Sequence, residues 1–298
     1  MNNGMNFSGM GTDIYLEADN TEELLTWFTH VERRYSRFLK DSELSILNQK
    51  PVSEDWISIS EEFYQILQKS EVFMAQTDSL FNPYLGQQMS SLGYDRSFDQ
   101  MEGIAKQTDR QFCMDKGLLL HHDQPLVKKV RDIHIDLGGF VKGWSADQAF
   151  QMARGENIFI DAGGDMGFTF AHPENIGVMN PFDSTTDIAQ FVIQQGALAT
   201  SNVLHRRWET QHGEHHHILN GQTGENPVSD VIQATVLAPT VAEAEVYAKV
   251  LCMIHAEDAE TWIKEKELPI AALIVNQKKQ IYRTEHLFQF CKGVRTAW

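Results

Sequence analysis

Two short segments constrain this chain more than anything else in its 298 residues. The first is IDLGGFVKGWSADQA at 135–149. The second, a few residues on, is IFIDAGGDMG at 158–167. Each reads as an apolar, strand-like run that ends in an acidic residue and a pair of glycines. Gly138-Gly139 then leads into a helical pattern with Lys142 in its first turn. Double glycines at strand ends let the backbone approach a ligand closely, because no Cβ intervenes. A helix start adds free N–H groups and positive partial charge suited to phosphate. The pair of segments points to a phosphate-bearing molecule held beside Asp136 and Asp165. The alternative is that Gly138, Gly139, Gly163 and Gly164 only make tight turns. Two such turns, each with its own carboxylate, favour a ligand site.

The motif is not one of the common nucleotide loops. GGFVKGWS differs from a Walker A sequence because Lys142 precedes Gly143 and the spacing is wrong. No GxGxxG follows a strand, which argues against a dinucleotide-binding fold of the Rossmann type. A net charge of −16 argues against a surface for nucleic acid. No apolar run approaches the roughly 20 residues that a membrane helix needs. The opening MNNGMNFSGMGT has no basic segment, apolar stretch or cysteine, so a cytoplasmic location without a membrane segment is expected. Cys113, Cys252 and Cys291 are far apart and form no CxxC pair, which suggests a reducing compartment and neither zinc site nor redox dithiol.

Apolar spacing predicts an amphipathic helix from Thr21 to Phe38 and a second one capped by Ser60. The region 78–100 reads as loop. A short helix is expected over 140–154. Strands are expected at 158–161, 189–193, 217–219 and 231–238. Thr240 and Glu243 form a capping box opening a helix through Ile254, and a further helix follows near 257–266. Ile270 to Val275 and Gln280 to Arg283 read as a hairpin. Strands and helices mix without strict alternation, so the fold class is α+β. No linker splits residues 1–298, and a single domain is expected.

Three further groups of residues bear chemistry. His212, His215, His216 and His217 cluster in QHGEHHHILNGQTG. They lack the HExxH spacing, and neighbours on a strand point to opposite faces, so most are expected in solvent. One histidine aimed into a site would be a good base near neutral pH. Glu245 and Lys249 stand four apart on a helix, the spacing of an ordinary surface ion pair. Arg206, Arg207 and Trp208 are either a basic strand face or a guanidinium site for phosphate.

The motifs together resemble the ApbE family, the FAD:protein FMN transferases, over almost the whole length. FSGMGTDIYLEA at 7–18, SRFLKDSELSILN at 36–48 and LFNPYLGQQMSSLGYD at 80–95 resemble its first three motifs. DLGGFVKGWSAD, DAGGD, ALATSNVLHRRW, HHILNGQTGENPVSD and VLAPTVAEAEVYAKVL follow in the family's order.

The resemblance implies an ApbE-like α+β fold of two intertwined α/β lobes with FAD bound between them. It implies cleavage of the FAD pyrophosphate and transfer of FMN to a Thr or Ser of an acceptor flavoprotein, with release of AMP. Met10, Phe38, Leu92, Gly93, Asp136, Lys142, Ser201, Arg206 and Ile218 would line the FAD site, with Ser201 in the flavin loop. His217 stands at the place of the family's base. A magnesium ion (Mg2+) is implied on the pyrophosphate, with the Gly139 carbonyl as one ligand. Where the family has Asp and Thr as further ligands, this chain has Glu245 and Lys249. Either Glu245 binds the metal or Lys249 replaces it. The family's HIID-Pro is here His217-Ile-Leu-Asn220-Gly221, and Leu204 stands where the family keeps an aromatic. Alternatives to transfer are hydrolysis of FAD by water and FAD binding without catalysis.

Overall fold

The computed structural model describes residues 4–108, 112, 114 and 116–296. Its strands are β1 (Gly4–Gly9), β2 (Thr12–Glu17), β3 (Ile57–Ser58), β4 (Leu118–Leu120), β5 (Leu126–Lys129), β6 (Ile158–Ala162) and β7 (Asp165–Asn180). Then come β8 (Asp183–Asn202), β9 (Arg207–Thr210), β10 (Gly213–His216), β11 (Val231–Ala238), β12 (Ala271–Asn276), β13 (Ile281–Arg283) and β14 (Gly293–Thr296). The α-helices are α1 (Thr21–Tyr35), α2 (Glu43–Gln49), α3 (Glu61–Gln76), α4 (Gly86–Ser91), α5 (Val141–Met152), α6 (Val241–Leu251), α7 (Ala259–Glu265) and α8 (Leu287–Phe290). The chain divides into two compact units. The first is built from residues 1–29, 142–205 and 228–298, and the second from 30–141 and 206–227.

The first unit holds an antiparallel sheet in the order β1-β2-β6-β7-β8-β11-β12-β13, with β14 also paired to β8. Every position of β11 and β12 is buried. Strands covered on both faces are mostly apolar on both, as at 271–275 and 231–238; the buried Gln233 and Thr235 of β11 are satisfied by Asn202 and Thr200. Leu24 and Phe28 of α1 and Ala146 and Ala149 of α5 pack with Ile14, Leu16, Ile160 and Ala197. Leu198, one residue on, joins a separate cluster with Phe168, Phe191, Leu273 and Leu287. That switch is the two-residue alternation of a strand.

Helices α5 and α6 meet in a polar seam. Thr240 and Glu243 form the capping box expected from sequence, with 3.2 and 3.1 Å bonds. Two more amides of the α6 N-terminus, on Val241 and Ala242, donate to the Asp147 carboxylate of α5 at 2.7 and 3.1 Å. A carboxylate there satisfies orphan donors and complements the helix dipole. The close approach requires glycine at 143. A Cβ on Gly143 would lie 2.7 Å from the Val241 carbonyl oxygen and 2.9 Å from backbone atoms of Ala242.

The second unit carries α2, α3 and α4, a sheet ordered β3-β5-β4 and the hairpin β9–β10. Ser60 caps α3 by accepting from the Phe63 amide at 3.1 Å. Leu85, Met89, Leu92, Tyr94, Trp208 and Leu219 form one of its apolar clusters.

Several elements differ from expectation. The first helix stops at Tyr35, and α4 lies inside the region 78–100. The short segment at 189–193 is part of the 20-residue β8. Residues 133–137, before Gly138, form no strand. The side chain of Asn48 stands in for one, bonding Ile135 N and O at 2.7 and 2.9 Å. Cys113 lies outside the described residues, and Cys252 and Cys291 are free and buried. No helix among the described residues is long and apolar enough to cross a membrane.

Gly143→Ala forces backbone against backbone and should cost about 2–3 kcal/mol, the usual range of overpacking. The midpoint of denaturant unfolding measures it; an unchanged midpoint would show that α5 and α6 can separate freely.

Candidate active site

In the first unit, the chemistry gathers around one carboxylate. Glu245 of α6 is fully buried. Its Oε2 accepts from the Gly143 amide at 2.7 Å. Its Oε1 lies 2.9 Å from the Lys249 ammonium and 3.1 Å from that of Lys142. Lys142 also bonds the carboxylate of Asp165, itself only 3% exposed. This is no surface ion pair. Burial opposes the Glu245 charge, but the two ammonium groups and the Gly143 amide prevail and hold its pKa well below the carboxylate range.

The second glycine pair lies beside this network. Gly163 and Gly164 have φ of 71° and 90°, in the left-handed region that glycine alone enters freely. A Cβ on Gly163 would also lie 2.0 Å from Thr12 Oγ1. The turn folds the Gly164 amide onto Asp161 Oδ1 at 2.6 Å. Burial raises the Asp161 pKa in spite of that bond and of nearby Lys142.

Met10 and Ser201 also belong to this unit. Met10 and Gly11 form the tip between β1 and β2, with φ of 54° and 69°. Both values fit a type I′ hairpin, in which a methionine is strained. The Met10 Sδ lies 3.6 Å from Ser145 Oγ. Ser201 is not in a loop. It is a buried residue near the end of β8, opposite Ala234, and its carbonyl accepts from Cys252 Sγ.

In the second unit, Arg37 organises the predicted FAD residues. Its Nε lies 3.0 Å from Asp136 Oδ2, and its Nη1 donates to the Tyr94 carbonyl at 2.8 Å. The guanidinium stacks 4.2 Å from the Phe38 ring and 4.7 Å from the Tyr94 ring. Asp136 Oδ1 takes the Gly138 amide at 2.7 Å. Gly139 follows in the same turn. Tyr94 in turn packs 5.2 Å from Trp208, whose indole N–H donates to the Leu92 carbonyl at 2.7 Å. Gly93 has φ of 96°, and a Cβ there would lie 2.7 Å from Ala105 Cβ. Phe38, Leu92, Gly93 and Asp136 therefore share one neighbourhood. Trp208 is a structural anchor rather than part of a basic face. Arg206 is strained at φ 47°, while Arg207 pairs with Glu214.

The histidines differ from expectation. His212 is exposed, but His215, His216 and His217 are half-buried. Residues 217–219 form no strand; the side chain of Asn226 holds them instead. Its Nδ2 donates to the carbonyls of His216 and Ile218 at 2.7 and 2.9 Å, and its Oδ1 accepts from His216 N at 3.2 Å. His217 is fixed between these anchors, and its amide donates to the Arg206 carbonyl. His216 turns inward, its Nδ1 accepting from the Ile218 amide at 3.3 Å. Sequence inspection missed Arg37, Asn226 and Asp147. Arg37 stood within the recognised SRF segment, and Asn226 before a proline in a turn-rich stretch, which were the available signals.

The donor set does not suit magnesium. Magnesium requires near-octahedral oxygen ligation, usually with one or two carboxylates. Both Glu245 oxygens are already engaged by cationic or amide donors, and an ammonium stands one helical turn on. Among the described residues, no group of three or more His, Cys, Asp or Glu could hold a metal ion.

The model of the ApbE family matches residues 10–274, and the chain belongs to that family. The FAD:protein FMN transferase of Escherichia coli K12 is 23% identical over 275 residues, covering 87% of this chain and 78% of that protein. That of Treponema pallidum is 23% identical over 267 residues, covering 82% and 74%. The solved ApbE protein of Thermotoga maritima superimposes with a TM-score of 0.83 at 22% identity, covering 98% of this chain and all of that one. Flavin transferase ApbE from Vibrio cholerae does so with a TM-score of 0.77 at 19% identity, covering 97% and 99%. Both structures support the α+β, ApbE-like fold.

Burial, then the charges of Arg207 and His215, lower the His216 pKa from 6.5 to about 4. The unfolded imidazole therefore binds a proton at a pH where the folded one does not. Stability from neutral His216 is complete above about pH 6.5 and is lost as pH falls toward 4. Between about pH 7 and pH 5 the parent should lose about 1–2 kcal/mol more than His216→Gln. Unfolding midpoints at the two pH values measure this, and parallel losses would exclude it.

Proposed function

We propose that this chain is an FAD:protein FMN transferase, joining the FMN half of FAD to a Thr or Ser hydroxyl of an acceptor protein. The observation that carries this is the family match from residue 10 to 274, with relatives of that activity covered over most of their length. The chemistry of the residues agrees with it. The acceptor hydroxyl attacks the phosphorus of the FMN half, a new P–O ester bond forms, and the pyrophosphate P–O bond breaks with AMP as the leaving group. Such a step needs a proton acceptor, a positioned nucleophile and positive charge on the phosphate oxygens.

His217 is the proton acceptor in this scheme. Asn226 fixes the backbone on both sides of it. The Arg37, Phe38 and Tyr94 ledge suits a flat aromatic ligand. The ammonium groups of Lys142 and Lys249 suit phosphate. The ApbE resemblance assigns further FAD contacts to Met10 and Ser201 in the first unit and to Leu92, Gly93, Asp136, Arg206 and Ile218 in the second.

The test is incubation of the chain with FAD, alone and with a candidate acceptor flavoprotein. Covalent flavin on the acceptor with stoichiometric AMP is expected. AMP with free FMN would instead identify a hydrolase, and intact bound FAD a carrier. His217→Ala should lower AMP release by roughly 10²-fold or more, the usual contribution of a positioned base, with FAD affinity retained. Full activity in His217→Ala, together with its loss in His215→Ala, would move the base to His215.

A further inference from the structure

The charges around Glu245 are arranged by depth. The anionic side chains lie innermost, Glu245 at 0% and Asp165 at 4% exposure, while Lys142 and Lys249 retain 13% and 14%. The ammonium groups thus keep more contact with solvent than the carboxylates that hold them. The carboxylates serve to hold the cations in place. Glu245 anchors both lysines through one oxygen and is itself fixed by the Gly143 amide through the other. Lys249 donates to Glu245, and its ammonium has two further N–H bonds with which to meet a ligand.

Stability alone does not account for the network. Buried ion pairs return little more than their desolvation cost, and apolar replacements are often as stable. Yet the ammonium at 249 sits at the position where the ApbE resemblance implies a metal ligand, and it repels a divalent cation there. The residues disagree with a magnesium site and agree with a site for a phosphate ester.

We propose that Lys249 and Lys142, held on the buried Glu245 carboxylate, take the place of a divalent cation and bind the phosphates of FAD, so that this chain binds and cleaves FAD without metal. The proposal rests on the flavin-transfer function above and concerns what neutralises the substrate's charge.

The experiment is titration calorimetry with FAD, in excess chelator and in excess magnesium, with metal analysis of the purified protein. The parent should bind FAD equally in both and carry no stoichiometric divalent metal. Lys249→Met should bind FAD roughly 10- to 100-fold more weakly in both conditions, the worth of a hydrogen bond to a charged group. Glu245 keeps Lys142 as a partner in that variant, and thermal melting verifies the fold. The pair Glu245→Asp with Lys249→Thr, if folded by the same check, should bind FAD more tightly in magnesium than in chelator. Loss of parental binding in chelator would overturn the proposal. So would undiminished affinity in Lys249→Met, or a double variant indifferent to magnesium. A parent that binds no FAD in either condition would refute flavin transfer itself, and this proposal with it.

Discussion

A single buried carboxylate ties the first unit together. Glu245 has no exposure to water, so its charge must be met inside the protein. The Gly143 amide and the two lysines meet it. That requirement fixes α6 against α5, because Gly143 lies on α5 and Glu245 on α6. The same seam brings Asp147 onto the amides that open α6. Glycine at 143 is a consequence, since any side chain there would strike the α6 backbone. The chemistry and the helix packing thus share one set of atoms.

The second unit uses a different device. Twice, an asparagine side chain takes the role of a neighbouring strand. Asn48 bonds both backbone groups of Ile135, and Asn226 bonds the backbone around His217. Each amide offers both donors and an acceptor, as a strand edge does. Backbone bonds complete the hold: the Gly86 amide to the His134 carbonyl, the Asp136 amide to the Pro83 carbonyl, and the His217 amide to the Arg206 carbonyl. Asp136 and His217 both follow such a clasp directly. Arg37 then connects Asp136 to the aromatic rings of Phe38 and Tyr94.

Local signals in the sequence revealed much of this. The capping box at Thr240, the Ser60 cap and the apolar runs of β11 and β12 depend on near neighbours and are visible in a few residues. The importance of the two glycine pairs was also visible, though for different reasons at each. Gly163 and Gly164 require positive φ, whereas Gly138 and Gly139 do not. What stayed hidden depends on distant partners. A strand-like run at 133–137 cannot announce that Asn48 replaces its neighbour. Glu245 and Lys249 have the spacing of a surface pair, and only burial by other elements reveals a different role. Of the long β8 only 189–193 was read, and β7 was missed, because the start of β8 and the middle of β7 are exposed and polar and lack the apolar alternation that marks a strand.

The division of the chain has an implication for how the protein is made. The sheet of the first unit takes strands from residues 4–17, 158–202 and 231–296, with most of the second unit interposed at 30–141. During synthesis the hairpin β1–β2 emerges early, but its neighbour β6 lies some 140 residues away in sequence. Contacts so distant close slowly and leave an apolar strand edge waiting. The segment at 30–141 contains α2 to α4 and the β3-β5-β4 sheet, and it waits for residues 206–227, with Trp208 and Leu219, to complete its unit. The Glu245 network can close only when α6 arrives, with β12 to β14 still to follow. A nascent chain therefore acquires the buried lysine–carboxylate network only after the histidine-bearing loop at 212–217 has been laid down.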